Sequence, residues 1–241
     1  MIPKIIHYIW VGGKPLNAFA EKCIKSWKKY CPDYEIKRWD ETNFDINENE
    51  YCKQAYESKK WAFVSDYIRL KVLYEYGGIY MDTDVEVVKP LDKFLTDPAF
   101  SGFENDTMIP TGIMAAEKGN LWIKSLLSDY DNRKFIKEDG SLDMTTNVTL
   151  ITENTVKQYP EIQLNNTEQR FENVVFYTKD YFCPIDLVTN KLKKTNNTHA
   201  IHWFNSSWFT PKQKFKKNVR KFLNIVTFGG WGKLRNKKNE K

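Results

Sequence analysis

The chain of 241 residues has only three histidines and four cysteines, and Cys23, Cys31, Cys52 and Cys183 form neither a Cys-x-x-Cys pair nor a zinc-finger spacing. That excludes a zinc-stapled fold and a dithiol redox motif, and leaves reduced thiols in a core as the expectation. No apolar run reaches the roughly 20 residues of a membrane-spanning helix. The opening Met1-Ile2-Pro3-Lys4-Ile5-Ile6-His7-Tyr8-Ile9-Trp10 lacks a small-residue cleavage site, is interrupted by His7 and runs into Gly12-Gly13. It reads as a first strand and not a secretion signal, so a cytoplasmic location is expected. Without such a signal, Asn147-Val148-Thr149 and Asn205-Ser206-Ser207 reflect Asn-rich composition more than glycosylation. There is no internal repeat. No DNA- or RNA-binding motif accompanies the positive charge, so nucleic acid is not an expected partner.

What is present is a globular composition, 41% hydrophobic and 15% aromatic, on a chain long enough for one large domain. The net charge of +6 is unevenly spread: Lys212 to Lys241 holds eleven Lys/Arg against one Glu, a balance of +10, leaving −4 elsewhere. A composition break near Pro211 divides a body, residues 1–211, from a basic tail, residues 212–241. Strand-like alternation at Ile5 to Val11 and Glu35 to Trp39 brackets a helix capped by Asn17 and running to about Lys29. This alternation predicts an α/β sheet. Trp61 to Tyr76 is the strongest helical segment, with Trp61, Val64, Ile68, Val72 and Tyr76 on one face and Gly77 to stop it. Further strands are expected at Phe100 to Phe103, Met108 to Ala115, Val174 to Tyr177 and Ala200 to Phe204, and helices at Leu121 to Tyr130 and Val148 to Tyr159. The polar stretch from Asp131 to Asn147 suits either acceptor recognition or disorder.

The chemistry concentrates in Gly77-Gly78-Ile79-Tyr80-Met81-Asp82-Thr83-Asp84-Val85-Glu86. In a continuous strand Asp82, Asp84 and Glu86 share a face. Three adjacent carboxylates repel one another unless a cation neutralises them, and hard oxygen ligands suit Mg²⁺ or Mn²⁺ holding a substrate's phosphates. Just upstream, Asp66 and Arg69 are i,i+3 neighbours on the helix, an arrangement equally typical of a surface ion pair. A phosphohydrolase of the haloacid dehalogenase type also uses Asp-x-Asp, but no Asp-Asp or Gly-Asp-x-x-x-Asp completes that chemistry here. A non-catalytic sugar-binding module with a structural cation is the alternative from another class. His7 is read as structural and His199 as exposed.

Four blocks then occur in order: Ile2 to Gly13, Ala62-Phe63-Val64-Ser65-Asp66-Tyr67-Ile68-Arg69, Tyr76 to Asp84, and His202-Trp203-Phe204-Asn205-Ser206-Ser207-Trp208. Together they resemble the DXD-containing sugar transferases of glycosyltransferase family 32, which include mannosyltransferases and capsule enzymes. More distantly they resemble the catalytic domain of the clostridial glucosylating toxins. The resemblance covers about the first 210 residues. It implies a GT-A nucleotide-sugar transferase fold: a single Rossmann-like α/β domain with a central mixed sheet.

The same resemblance implies roles for particular residues. Asp84 binds Mn²⁺ (or Mg²⁺) directly, Asp82 serves the ribose and metal side, and His202 completes the metal shell. The toxins use an acidic residue near this last position, which leaves that third ligand the least fixed. Asp66 and Arg69 hold the donor sugar, Trp10 stacks on the nucleobase, and Ser206 or Ser207 with Trp208 approaches the β-phosphate. Gly77 and Gly78 are grouped with the substrate-binding residues.

The implied activity is retaining transfer of a hexose from a nucleotide sugar. The residues do not distinguish UDP-galactose, UDP-glucose and GDP-mannose, and the two UDP donors are favoured. A lipid-linked oligosaccharide in capsule or surface polysaccharide synthesis is the favoured acceptor, with a protein acceptor, as in the toxins, as the alternative. The tail supports the lipid. Phe215, Val219, Phe222, Leu223 and Val226 line one helical face beside Lys214, Lys217, Arg220 and Lys221, a pattern suited to the inner face of the plasma membrane or to packing on the body.

Overall fold

A computed structural model describes residues 1–109, 112–186 and 189–205. Residues Met1–Phe204 form one compact unit. Its elements are β1 (Ile5–Ile9), α1 (Ala18–Tyr30), β2 (Glu35–Trp39), α2 (Glu50–Glu57), α3 (Trp61–Tyr76), β3 (Gly78–Met81), β4 (Val85–Val87), β5 (Ala99–Gly102), β6 (Ile113–Ala116), α4 (Leu121–Ser128), α5 (Asn147–Gln158), β7 (Gln169–Arg170), β8 (Val175–Tyr177), α6 (Lys179–Phe182) and β9 (Ala200–His202). The expected α/β class with a central mixed sheet is what the chain forms. Seven strands lie in the order β2-β1-β3-β6-β5-β8-β7, and β4 and β9 make a separate two-stranded ribbon. The boundary proposed at residue 211 and the basic tail lie outside the described residues.

β1 is the pivot of the sheet. It pairs in parallel with β2 on one side and with β3 on the other, with His7 opposite Tyr80. The chain winds away from β1 in both directions, and the crevice outside the carboxyl ends of such strands is where α/β sheets take ligands. Trp10 and Asp82, which follow β1 and β3, leave the sheet at that same edge.

α1 begins as its sequence dictates: Asn17 Oδ1 accepts from the Ala20 N–H at 2.9 Å, and Cys23, Ile24 and Trp27 are buried. The helix also fixes the ribbon. Trp27 Nε1 donates to the Val85 carbonyl at 2.7 Å, and the Val87 N–H donates to Ser26 Oγ at 2.9 Å. All four cysteines are free and buried, as expected of core thiols.

α3 has the bounds its sequence predicts, but it is buried from Val64 to Leu70 and again at Val72 and Leu73, not along one stripe. It packs against α2, α4 and β1, whereas Tyr76, expected on the inner face, is 42% exposed. Gly77 ends it at φ 68°, and Gly78 follows at φ 105°. A Cβ on Gly78 would stand 2.7 Å from the Ile5 carbonyl oxygen, so only glycine lets β3 pass β1 here.

His7 is structural, as predicted. Fully buried, it accepts from Trp39 Nε1 at Nδ1 (3.0 Å), which leaves the Nε2 proton to bond the Gly77 carbonyl at 2.7 Å. Burial lowers its pKa to about 4. Because the folded value lies below the unfolded one, the stabilisation is complete above about pH 6.5 and is lost as pH falls toward 4, up to about 3 kcal/mol. Denaturant titrations from pH 7 to pH 4 are expected to show that loss, and His7→Gln, though less stable, a flatter pH dependence.

His199, expected at the surface, is buried. It stacks on Tyr181 at 6.2 Å, meets the Phe94 ring edge-on, and its Nδ1 bonds the Asn197 carbonyl at 2.6 Å. The segment from residue 131 to 147 is folded too, pinned by an isolated bridge between Ile136 and Leu142 and by an Arg133–Asp143 ion pair.

Candidate active site

The strand carrying the carboxylates stops at Met81. Residues 82 to 85 form a turn, closed by the Val85 N–H donating to the Asp82 carbonyl at 3.0 Å, before β4 begins. The expectation that Asp82, Asp84 and Glu86 share one strand face is therefore corrected. Glu86 sits on β4, where it accepts from Trp203 Nε1 at 2.9 Å and faces Lys22 at 3.8 Å. The turn instead brings Asp82 and Asp84 to a third group. β4 pairs antiparallel with β9 so that Val85 lies opposite His202, and the Trp203 N–H donates to the Asp84 carbonyl at 3.0 Å. His202 Nε2 stands 3.4 Å from Asp84 Oδ1 and 3.9 Å from Asp82 Oδ2.

One ligand atom from each of Asp82, Asp84 and His202 lies within 4.8 Å of the others. Two carboxylate oxygens and an imidazole nitrogen at that separation fit a divalent ion such as Mn²⁺ or Mg²⁺. The electrostatics agree. Burial raises the Asp82 pKa although Arg69 and His202 oppose it. Burial also works against a charge on His202, but Asp84 outweighs it and holds the imidazole pKa well above its ordinary value. Both shifts reflect a site in which two neighbouring carboxylates favour a positive charge beside them.

Arg69 connects this cluster to the helix. The pair with Asp66 is no surface ion pair: the side chains are 4% and 10% exposed, with Arg69 Nη2 3.1 Å from Asp66 Oδ1. The same Nη2 is 3.4 Å from Asp82 Oδ1, Nε donates to the Ser65 carbonyl at 3.1 Å, and the guanidinium lies 4.5 Å above the Tyr80 ring. Tyr80, one strand period before Asp82, donates its hydroxyl to Asp82 Oδ1 at 2.5 Å. Burial, opposed by Arg69, pushes the Asp66 carboxyl up to about 6. Two groups the sequence did not single out also face the site. Glu104, on the loop after β5, has its pKa raised by burial and interacts with His202 and Asp82; Arg133 acts on Asp66.

The other expected residues divide. Trp10 is at the correct edge but only 5% exposed, its Nε1 donating to the Lys14 carbonyl at 2.7 Å. Gly77 and Gly78, expected among the substrate-binding residues, lie at the opposite end of β3, roughly 13 Å from Asp82 at ~3.3 Å per residue. They shape the backbone between α3 and the sheet. Ser206, Ser207 and Trp208 lie outside the described residues.

Fold edge, acidic turn and buried Asp–Arg pair meet in one polar site whose Asp82, Asp84 and His202 atoms are spaced to hold a divalent cation. Residues 19–101, which contain Asp66, Arg69, Asp82 and Asp84 but not His202, match the family described as "Glycosyltransferase sugar-binding region containing DXD motif". This stretch of the chain is thus similar to a DXD-containing glycosyltransferase region, in agreement with the resemblance read from the sequence. It is 32% identical over 141 residues to inositol phosphoceramide mannosyltransferase 3 of Schizosaccharomyces pombe, covering 56% of this chain and 38% of that protein. It is 28% identical over 177 residues to subversion of eukaryotic traffic protein A of Legionella pneumophila, covering 58% and 26%. The chain thus spans well under half the length of these curated relatives. Among solved structures, a glycosyltransferase involved in glycosylation of the major capsid of PBCV-1 is similar at 16% identity and TM-score 0.49, over 85% of this chain and 95% of that one.

Proposed function

We propose that the protein is a retaining, divalent-metal-dependent glycosyltransferase of the GT-A type, moving a hexose from a nucleotide diphosphate sugar to a saccharide acceptor. The observation that carries this reading is the convergence of Asp82, Asp84 and His202 beside a buried Asp66–Arg69 pair within a DXD-type region. Asp84, Asp82 and His202 would hold the ion, Mn²⁺ or Mg²⁺. When bound, such an ion neutralises charge on the departing diphosphate as the glycosidic bond breaks.

The protein's own groups orient the reactants. Asp66 and Arg69 offer an acceptor and a planar set of donors for sugar hydroxyls, and Arg69 with the Tyr80 hydroxyl fixes the Asp82 carboxylate. Retention is assigned to front-face attack by the acceptor, held by positioning alone.

Among donors, UDP-galactose and UDP-glucose remain the first choices. The mannosyltransferase relatives put GDP-mannose beside them. Those relatives' names specify a lipid-borne acceptor, inositol phosphoceramide, which favours a lipid-linked saccharide here, as in surface or capsule polysaccharide synthesis, over a protein acceptor. Among the described residues no helix is long and apolar enough to cross a membrane. The location proposed is cytoplasmic, peripheral at the inner membrane face through the basic tail.

Incubating the full chain with Mn²⁺ and UDP-glucose, UDP-galactose or GDP-mannose tests the reading by released nucleotide diphosphate. Release with one donor, returning to background with a chelator, is expected. No release with any donor would overturn it, and release insensitive to the chelator would remove the metal.

A further inference from the structure

Gly112, immediately before β6, touches two of the three groups that gather at the acidic turn. Met81 lies opposite Ile113 in the antiparallel β3–β6 pair, and one step further the Asp82 N–H donates to the Gly112 carbonyl at 2.8 Å. That bond carries the ladder one residue past the end of β3 and fixes the backbone from which the Asp82 carboxylate departs. Gly112 also backs onto His202. A Cβ at this position would stand 2.6 Å from Nδ1 and 2.9 Å from both Cγ and Cε1 of the imidazole, closer than such atoms pack. Those three atoms surround Nδ1, whereas Nε2, across the ring, is the atom that faces Asp84 and Asp82.

The backbone does not explain the glycine. Gly112 is not among the glycines with positive φ, so its conformation does not require the missing side chain. Alanine at such a place ordinarily stabilises a protein by restricting the unfolded chain. What excludes it here is the imidazole, and the imidazole has little room to retreat. The β4–β9 register sets His202 opposite Val85. The Phe204 ring lies against it, with centroids 4.0 Å apart and planes inclined by 33°. Phe204 is itself held at φ 53°, a conformation that costs energy for an aromatic residue and persists only where its surroundings over-determine it. A methyl group at position 112 is therefore accommodated by turning the imidazole, and a turned imidazole no longer presents Nε2 to the two carboxylates.

We propose that Gly112 is a positioning residue for the cation, its bare Cα being the space that lets His202 reach Asp82 and Asp84. This rests on the reading of those three side chains as metal ligands and adds the residue that orders two of them, Asp82 through its carbonyl and His202 through the side chain it lacks. Groups that orient metal ligands from behind ordinarily govern metal affinity by about 10–100-fold.

The test titrates Mn²⁺ alone into the full chain by calorimetry, for the wild type, Gly112→Ala, His202→Ala and the double variant, and records the melting temperature of each without metal. Gly112→Ala is expected to bind Mn²⁺ about tenfold or more weakly than the wild type. In the His202→Ala background the same methyl group is expected to change the affinity by about twofold or less, because no imidazole remains to be displaced. His202→Ala also opens a space that the methyl group fills. The double variant is therefore expected to melt no lower than Gly112→Ala, which keeps the test decisive even where the single variant folds poorly. Where His202→Ala binds Mn²⁺ too weakly to titrate, the melting temperatures decide. Wild-type Mn²⁺ affinity in Gly112→Ala would overturn this proposal alone, as would an equal loss of affinity or of melting temperature in both backgrounds. A wild-type chain that binds no Mn²⁺ would overturn the metal-ligand reading and this proposal with it.

Discussion

Asp84→Asn is expected to lower nucleotide-sugar cleavage by at least about 100-fold, roughly 3 kcal/mol of barrier, while leaving the protein folded. Asparagine has the shape of aspartate, and the backbone bond from Trp203 to the Asp84 carbonyl, which ties β9 to the turn, does not involve the side chain. What is lost is the carboxylate nearest to His202 Nε2, one of the two anionic groups of the cluster. Turnover at saturating donor, Mn²⁺ affinity by calorimetry and a circular dichroism spectrum decide the matter together. A well-folded variant that turns over near the wild-type rate at limiting Mn²⁺ would end the metal-dependent reading.

Arg69→Lys is expected to be almost as severe for turnover, a loss of about 100-fold, with little change in nucleotide diphosphate affinity. The guanidinium simultaneously meets Asp66, Asp82 and the Ser65 carbonyl while lying on the Tyr80 ring. An ammonium is a point charge on a flexible stem and cannot satisfy that planar set. Asp66 and Asp82 are then left buried with weaker partners, so a drop in stability of about 1–3 kcal/mol is expected as well. Turnover measured well below the unfolding temperature separates the two effects. Calorimetry showing that the variant has instead lost nucleotide binding would mean that Arg69 serves the nucleotide and not the sugar.

The physical origin of both effects is local order imposed on a short stretch of chain. α3 ends at Gly77, β3 lasts four residues, and the turn from Asp82 to Val85 opens the ribbon. Through these three steps the Asp66–Arg69 pair and the Asp82–Asp84 pair are placed a few ångströms apart by a linker too short to vary. α1 reinforces the arrangement from outside, because Trp27 and Ser26 hold β4 by its backbone.

Much of this was legible along the chain because it depends on local rules. Asn17 as a cap, the extent of α3, its stop at glycine and the strand before the carboxylates all follow from capping, periodicity and the conformational freedom of glycine. The pairing of Asp66 with Arg69 followed from i,i+3 spacing, and that of Tyr80 with Asp82 was available from strand alternation. Assigning Asp82, Asp84 and Glu86 to one face went wrong because alternation holds only while the strand lasts. A strand that turns at its sheet edge redirects every later side chain, and Glu86 consequently pairs with Trp203 and Lys22. Gly77 and Gly78, grouped with the substrate-binding residues, lie at the end of β3 away from Asp82.

By itself the sequence determined the class of the fold, the helix that carries Asp66 and Arg69, and the strand that leads into Asp82, since each follows from local patterns of residues. The resemblance named His202, more than a hundred residues downstream, but it is the tertiary structure that brings its side chain to Asp82 and Asp84. That contact depends on the register of β9 against β4. Tertiary structure likewise decided that the Asp66–Arg69 pair is buried, which turns on α2, α4 and β1 closing around α3. Contacts of this kind are fixed by the packing of distant segments, whose burial and register no local pattern of residues encodes.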